Sequence, residues 1–417
     1  MPSPLDDLQR DIPAPDLRRD RQCRRFSFAN SPVTERGSEG VMRILMAAAR
    51  YFPFAGGTET HIHEVGRRLV ERGHAVSILT ANPGGQLPEY EKIAGIDVVR
   101  VRSWPAGRDW HLAPGLKRAM TNLRCDIVHV QGYHTFFAPV AMWSAARSGI
   151  PFVLSFHSGG HSSLLRNSIR KIQAATLGPL VRQAELCIAV SQFEVYHFAR
   201  AMGLPAERFR VLPNGANLNA ELTAGDRSED ENLILSVGRL ERYKGHHRAI
   251  DAMPRLLRLR PDVRLQIVGS GPYEPALRAR IARLGLSDRV SIRSIPPSNR
   301  GDMAALMAEA RLIVLFSNYE AHPVAVLEAL SLNKTVVVTS TSGLKEIADS
   351  GLARAVPLDA RAAVIAAAMH EAMSAPKPAA AVKLTTWDEC AAELEAVYRR
   401  VLAERSTYAP MSLSCEA

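Results

Sequence analysis

Glu320-Ala-His-Pro-Val-Ala-Val-Leu-Glu328 is the stretch on which the reading of this chain turns. Its two carboxylates are separated by seven residues and follow an apolar run, residues 312–316, that reads as a buried strand. The second carboxylate opens the helical pattern at residues 326–332. A loop at the carboxyl end of a parallel strand, running into a helix, is where doubly wound α/β sheets bind ligands. The helix start offers free N–H groups to phosphate or hydroxyl oxygens. Acidic side chains beside it can accept hydrogen bonds from the vicinal hydroxyls of a sugar nucleotide.

Three other segments share the pattern. They are Tyr51-Phe-Pro-Phe-Ala-Gly-Gly-Thr58, Ser236-Val-Gly-Arg-Leu-Glu-Arg-Tyr-Lys-Gly245 and Ile267-Val-Gly-Ser-Gly-Pro272. Gly56 and Gly57 let the backbone approach an anion, and Thr58 is a candidate helix cap. Arg239 and Lys244 can neutralise phosphate oxygens, the arginine through two parallel hydrogen bonds. Basic groups at a helix amino end oppose the macrodipole unless an anion is present. The turn at Gly269 lacks the Gly-x-Gly-x-x-Gly spacing, which disfavours a nicotinamide enzyme. His157 ends an apolar strand pattern at residues 152–156, and His129, Gln131 and His134 lie on the preceding strand end and loop.

At 417 residues the chain exceeds one ordinary core, so two domains are expected. Residues 1–40 read as an unstructured tail, 41–218 as a first domain, 219–385 as a second, 386–405 as a final helix and 406–417 as a second tail. Short apolar runs alternate with helical patterns in both domains, which predicts parallel sheets covered on both faces. Five scattered cysteines show no metal spacing and fit a reducing compartment. No apolar run reaches the ~18 residues that span a bilayer. The net charge of +10 fits phosphorylated substrates or an anionic membrane surface, and no nucleic-acid module accompanies it. Residues 164–182 place Arg166, Arg170 and Lys171 beside Leu165, Ile169, Ile172 and Leu180, a pattern for a helix lying on a bilayer or packed on a core.

In this order the motifs resemble those of the GT-B glycosyltransferases of family 4, also called glycosyl transferases group 1. The likeness spans residues from about 43 to about 400. It implies two Rossmann-like domains facing a central cleft, with the C-terminal helix returning to the N-terminal domain. It implies transfer of a hexosyl unit from a UDP- or GDP-linked sugar to a sugar or lipid-linked sugar acceptor, with retention and without metal or cofactor. On that resemblance His157, Arg239, Lys244 and Glu320 are the catalytic set. Gly56, Gly57, Gly269, Ile295, His322, Val324 and Glu328 bind the donor, and His129 and His134 stand on the acceptor side. The place of action would be the cytoplasm or the inner face of its membrane. Two residues depart from the family pattern: His322 stands for an aromatic residue and Pro323 for a glycine. Proline removes an amide, and His322 either replaces it as a donor or packs as the aromatic would. The other readings are a nucleotide-sugar epimerase or phosphorylase of the same fold, or a catalytically silent partner subunit.

Overall fold

A computed structural model describes residues 40–408 apart from 55, 107–110, 134, 158–163, 219–227, 297–298 and 376–382; for 164–172 and 408 it describes the backbone alone. Residues 1–39 and 409–417, most of both expected tails, lie outside the described residues.

The first sheet is built from β1 (Arg43–Ala48), β2 (Ala75–Pro83), β3 (Tyr90–Ile93), β4 (Ile96–Ser103), β5 (Ile127–Gln131), β6 (Phe152–Ser155), β7 (Leu186–Ala189) and β8 (Phe209–Val211). Their order is β3-β4-β2-β1-β5-β6-β7-β8. Only the edge strand β3 runs antiparallel, and its polar sequence gives no strand signal. The second sheet holds β9 (Asp230–Val237), β10 (Arg264–Val268), β11 (Val290–Arg293), β12 (Ala310–Leu315), β13 (Thr335–Thr339) and β14 (Arg354–Val356). It is wholly parallel, in the order β11-β10-β9-β12-β13-β14. The central strands are apolar on both sides because helices cover both faces; all five residues of β5 and of β13 are buried. Each sheet accordingly carries two apolar clusters, one per face.

Strand order reverses direction between β1 and β5 in the first sheet and between β9 and β12 in the second. At such a switch point the connections leave in opposite directions and open a crevice at the carboxyl ends of the strands. The loops that carry the sequence motifs leave these strands: β1 leads to Gly56, β9 to Arg239 and β12 to Glu320.

The chain crosses between domains twice, and the crossings touch. The Ala216 amide donates to the Thr385 carbonyl at 2.8 Å. The last helix, α12 (Trp387–Tyr408), then packs on α1 (Gly57–Glu71) of the first domain. Trp387, Cys390, Leu394, Val397 and Tyr398 join the apolar cluster of β1 and β2. Arg68 of α1, buried, pairs with Glu64 at 2.5 Å and with Asp388 at 3.0 Å. His129 of β5 shares hydrogen bonds with the hydroxyls of Tyr398 (2.6 Å) and Ser155 (2.7 Å). This places His129 inside the core with both ring nitrogens satisfied, and overturns the expectation that it faces an acceptor. It ties the last helix to the sheet instead.

Two tests follow from this packing. A side chain at Gly215 would have its Cβ 2.5 Å from the backbone of Trp387, so Gly215→Ala must push the crossings apart. The expected loss is about 1–3 kcal/mol in a denaturant titration. The second test is acid stability. Burial pushes the imidazoles of His61, His246 and His322 down to about 4 and that of His129 to about 3, from an ordinary 6.5. The unfolded chain therefore takes up these protons before the folded one does. Stability falls as pH drops from about 6.5 towards about 4. A melting temperature that stays level across that window would contradict the assignment of neutral histidines.

Candidate active site

The crevices of the two sheets face each other across a cleft of about 940 Å3. Its first wall comes from the loop after β1, the end of β5 and His157 after β6. Its second wall comes from the loops after β9, β10, β11 and β12.

On the second wall, Lys244 and Glu320 form an ion pair at 2.6 Å, with 16% and 7% of their side chains exposed. Lys244 closes a short 3-10 turn, Arg242–Lys244, that ends in the left-handed Gly245 (φ 75°). A Cβ on Gly245 would sit 1.9 Å from the Phe316 carbonyl, so only glycine lets the β9 and β12 loops come this close. Burial lowers the affinity of the Lys244 ammonium for its proton, but the Glu320 carboxylate and the Tyr243 hydroxyl together outweigh it and the net shift is upward. Ser317 donates its hydroxyl to the same Glu320 oxygen at 2.7 Å, and the Glu320 amide donates to Ser342 Oγ at 2.8 Å. Arg239 pairs with Glu241 at 3.2 Å and donates to the Tyr243 hydroxyl at 2.9 Å, with its side chain 38% exposed to the cleft. Two fixed cations thus stand at the switch point of the second sheet.

The helix after Glu320, α9, spans Val324–Ser331 with Pro323 at its N-cap. It begins two residues before the position that the apolar pattern predicts. Glu328 is therefore in its second turn, and no acidic residue occupies the first. Its place owes nothing to the helix dipole, whose influence is greatest in the first turn. Glu328 is buried and bonded to Arg300 at 2.5 Å; burial raises its carboxyl and Arg300 opposes the rise. Val324 and Ala325 occupy the first helical positions and line the cleft, where their amides have no intrahelical acceptor. Gly269 approaches so closely that an added Cβ would meet the Gly238 carbonyl at 2.0 Å, and Ile295 lines the far end.

On the first wall α1 starts at Gly57 with Gly56 at the N-cap. Thr58 lies inside the first turn and forms no cap, contrary to expectation. Gly57 approaches Val324 across the cleft; a Cβ there would lie 3.6 Å from the valine methyl. His157 takes a left-handed conformation (φ 41°) and its Nε2 bonds Gln131 Oε1 at 2.7 Å. A left-handed non-glycine residue facing a cleft is the kind of backbone strain that accompanies functional sites. His134 lies outside the described residues.

Three residues at the site escape the motif reading. Glu59 is buried on the cleft wall, its carboxyl raised by burial against the opposing pull of Arg239. Its signal was present: an acid three residues after the N-cap Gly56 is the capping-box position. Arg300 stands at the start of a helix (Arg300–Glu309) and carries no pattern of its own. Asn214, in the turn Pro213-Asn-Gly215, donates from its backbone to His322 Nδ1 at 3.1 Å and from Nδ2 to the His322 carbonyl at 2.8 Å. Among the described residues no group of three His, Cys, Asp or Glu side chains gathers as metal ligands do.

Residues 55–220 match the family described as Glycosyltransferase Family 4, and residues 221–385 match Glycosyl transferases group 1. An uncharacterised glycosyltransferase of Methanocaldococcus jannaschii is 30% identical over 330 residues, covering 73% of this chain and 82% of that protein. A D-inositol 3-phosphate glycosyltransferase of Nocardiopsis dassonvillei is 29% identical over 399 residues, covering 84% and 91%. The Anabaena protein HepE, solved in complex with UDP-glucose, shares the fold with a TM-score of 0.64 at 22% identity, over 88% of this chain and 99% of its own. Motifs, paired parallel sheets and these relatives agree: the chain belongs to the GT-B glycosyltransferases of family 4, the group 1 glycosyl transferases.

Proposed function

We propose that this enzyme moves a hexosyl unit from a nucleoside diphosphate sugar to a hydroxyl acceptor, with retained configuration and no metal ion. The observation that carries the reading is the Lys244–Glu320 pair with Arg239 beside it at the second sheet's switch point. A departing diphosphate accumulates negative charge, and two preorganised cations plus the first amides of α9 oppose it. They take the part that a divalent ion plays in metal-dependent transferases. Glu320, anchored by Lys244 and Ser317, keeps its second oxygen for the transferred sugar. Glu328 meets the ribose hydroxyls. The bond from the anomeric carbon to the diphosphate breaks, the acceptor oxygen bonds that carbon on the same face, and the acceptor proton passes to the departing phosphate. The complex of HepE with UDP-glucose supports a UDP-linked donor. We place the reaction in cell-surface or exopolysaccharide assembly, by analogy with the family alone.

An exposed stripe supports a lipid-linked acceptor. Phe136, Val140 and Trp143 lie on the start and outer face of α3 (Phe137–Arg147), exposed by 53%, 38% and 44%. Lys117 lies 4.9 Å from the Trp143 ring centre and Arg147 6.0 Å. Phe136 also lines the cleft. The neighbouring helix α4 (Leu164–Val181) carries Arg166, Arg170 and Lys171, whose side chains lie outside the described residues. Apolar and basic groups together fit an anionic bilayer surface. Among the described residues no helix is long and apolar enough to cross a membrane.

A thermal-shift screen of UDP, GDP and ADP with their hexose conjugates tests the donor, because a ligand of the native state raises the melting temperature. Arg239→Ala and Lys244→Ala should each lower turnover at least ~10²-fold, with chelator leaving the wild type unaffected. Lys244→Ala should also cost about 1–3 kcal/mol of stability by stranding the Glu320 carboxylate. Near-normal turnover in a folded double variant would remove both cations from the mechanism. For the surface, weak salt-sensitive co-sedimentation with phosphatidylserine vesicles is expected. It should diminish in Trp143→Ala and in the triple Gln variant of Arg166, Arg170 and Lys171, at about 1 kcal/mol per cation. Binding that neither variant alters would separate the bilayer from this face.

A further inference from the structure

His322 is held from behind. Its Nδ1 accepts the Asn214 amide and its carbonyl accepts the Asn214 side chain. A ring nitrogen that accepts a hydrogen bond carries no proton, so the neutral imidazole has its N–H at Nε2. Burial keeps the ring neutral, with its pKa pushed down to about 4. His322 lines the cleft, and among the described residues Nε2 makes no hydrogen bond. Asn214 is itself buried, stands beside His61 of α1, and precedes Gly215, which is locked against Trp387. It thus belongs to the crossing between the domains while gripping a donor-side loop of the second.

We infer that His322 is a specificity-determining donor whose Nε2–H binds a hydroxyl of the transferred sugar, and that Asn214 is the positioning residue, its backbone amide setting the tautomer and its side chain the angle. The inference rests on the glycosyl-transfer reading. A sugar hydroxyl suits His322 better than the diphosphate for two reasons. The ring is neutral, and the charge of a diphosphate is already met by Arg239, Lys244 and the amides of Val324 and Ala325. His322 also follows Glu320 by two residues and precedes α9 by two, between the sugar-side carboxylate and the phosphate-side amides. Pro323, which has no amide to give, is the N-cap beside it. The imidazole supplies a donor where the backbone supplies none. Any shift of the interdomain crossing that moves Asn214 moves this donor with it.

Calorimetric titration with UDP, GDP, UDP-glucose, UDP-galactose, UDP-N-acetylglucosamine, GDP-mannose and GDP-glucose separates the roles. His322→Phe keeps the ring and loses the donor. It should leave the Kd of the free diphosphate unchanged and weaken the matching nucleotide sugar about 10-fold, the usual weight of one hydrogen bond. Asn214→Ala, which frees the His322 carbonyl and so the angle of the ring, should do the same, and the double variant should be no weaker than either single one. His322→Gln, which retains an N–H, should recover part of the loss. Nitrogen-15 spectra should show His322 protonated at Nε2 in the wild type and equally in Asn214→Ala, whose backbone amide still donates to Nδ1. Wild-type affinity for the nucleotide sugar in His322→Phe would reduce the ring to packing. Equal weakening of free diphosphate and nucleotide sugar would move its role off the sugar. Additive losses would detach Asn214 from His322. If neither diphosphate nor any nucleotide sugar binds the wild type, the transfer reading fails and this inference with it.

Discussion

A lysine ammonium and a glutamate carboxylate, both largely out of water, hold each other where two strands of a parallel sheet part company. Neither charge would persist there alone, because removing an ion from water costs more than a protein interior returns without a partner. Lys244 sits on the loop from β9 and Glu320 on the loop from β12, so the pair also stitches the switch point shut. Ser317 donates to the carboxylate, Ser342 accepts the Glu320 amide, and the bare backbone of Gly245 lets the loops meet. Everything else on the second wall is placed relative to this pair. Arg239 is the cation left open to the cleft, and α9 takes its direction from the loop that Glu320 anchors.

The fold was legible because its signals are local. Apolar runs of strand length, each ending in a glycine- or charge-bearing turn, announce parallel strands and their loops. The runs that form β9 to β13 of the second sheet appear in the chain as plain text. Strands β3 and β14 give no such signal, since an edge strand need not be apolar: β3 has no fully buried residue, and β14 has one. The start of α9 was placed two residues late, because Pro323 reads as a break in the helix although it serves as the N-cap of a run already apolar from Val324.

The site was legible as a set of loops but not as a set of partners. Glu320 and Lys244 stand 76 residues apart, and nothing in their spacing says that they touch. His129 and His157 look alike in sequence, each near the end of an apolar run. The pleat decides between them: His129 points into the core against Tyr398, while His157 lies beyond the strand end and lines the cleft. Asn214 read as a simple turn residue because its partner lies 108 residues further along. Side-chain pairings between domains are long-range facts, set by how two sheets face each other rather than by either sheet's own pattern.

The return of α12 to the first domain has a consequence for synthesis. Trp387, Leu394 and Tyr398 form one side of the core that covers β1 and β2, yet they follow the whole second domain in the chain. Domains ordinarily fold in the order in which they leave the ribosome. Here the domain translated first waits for a helix made after the second domain. The nascent first sheet therefore spends the whole translation of the second with one apolar face covered by α1 but not yet by α12. Its folding is vectorial in synthesis but completed by a segment that follows its neighbour.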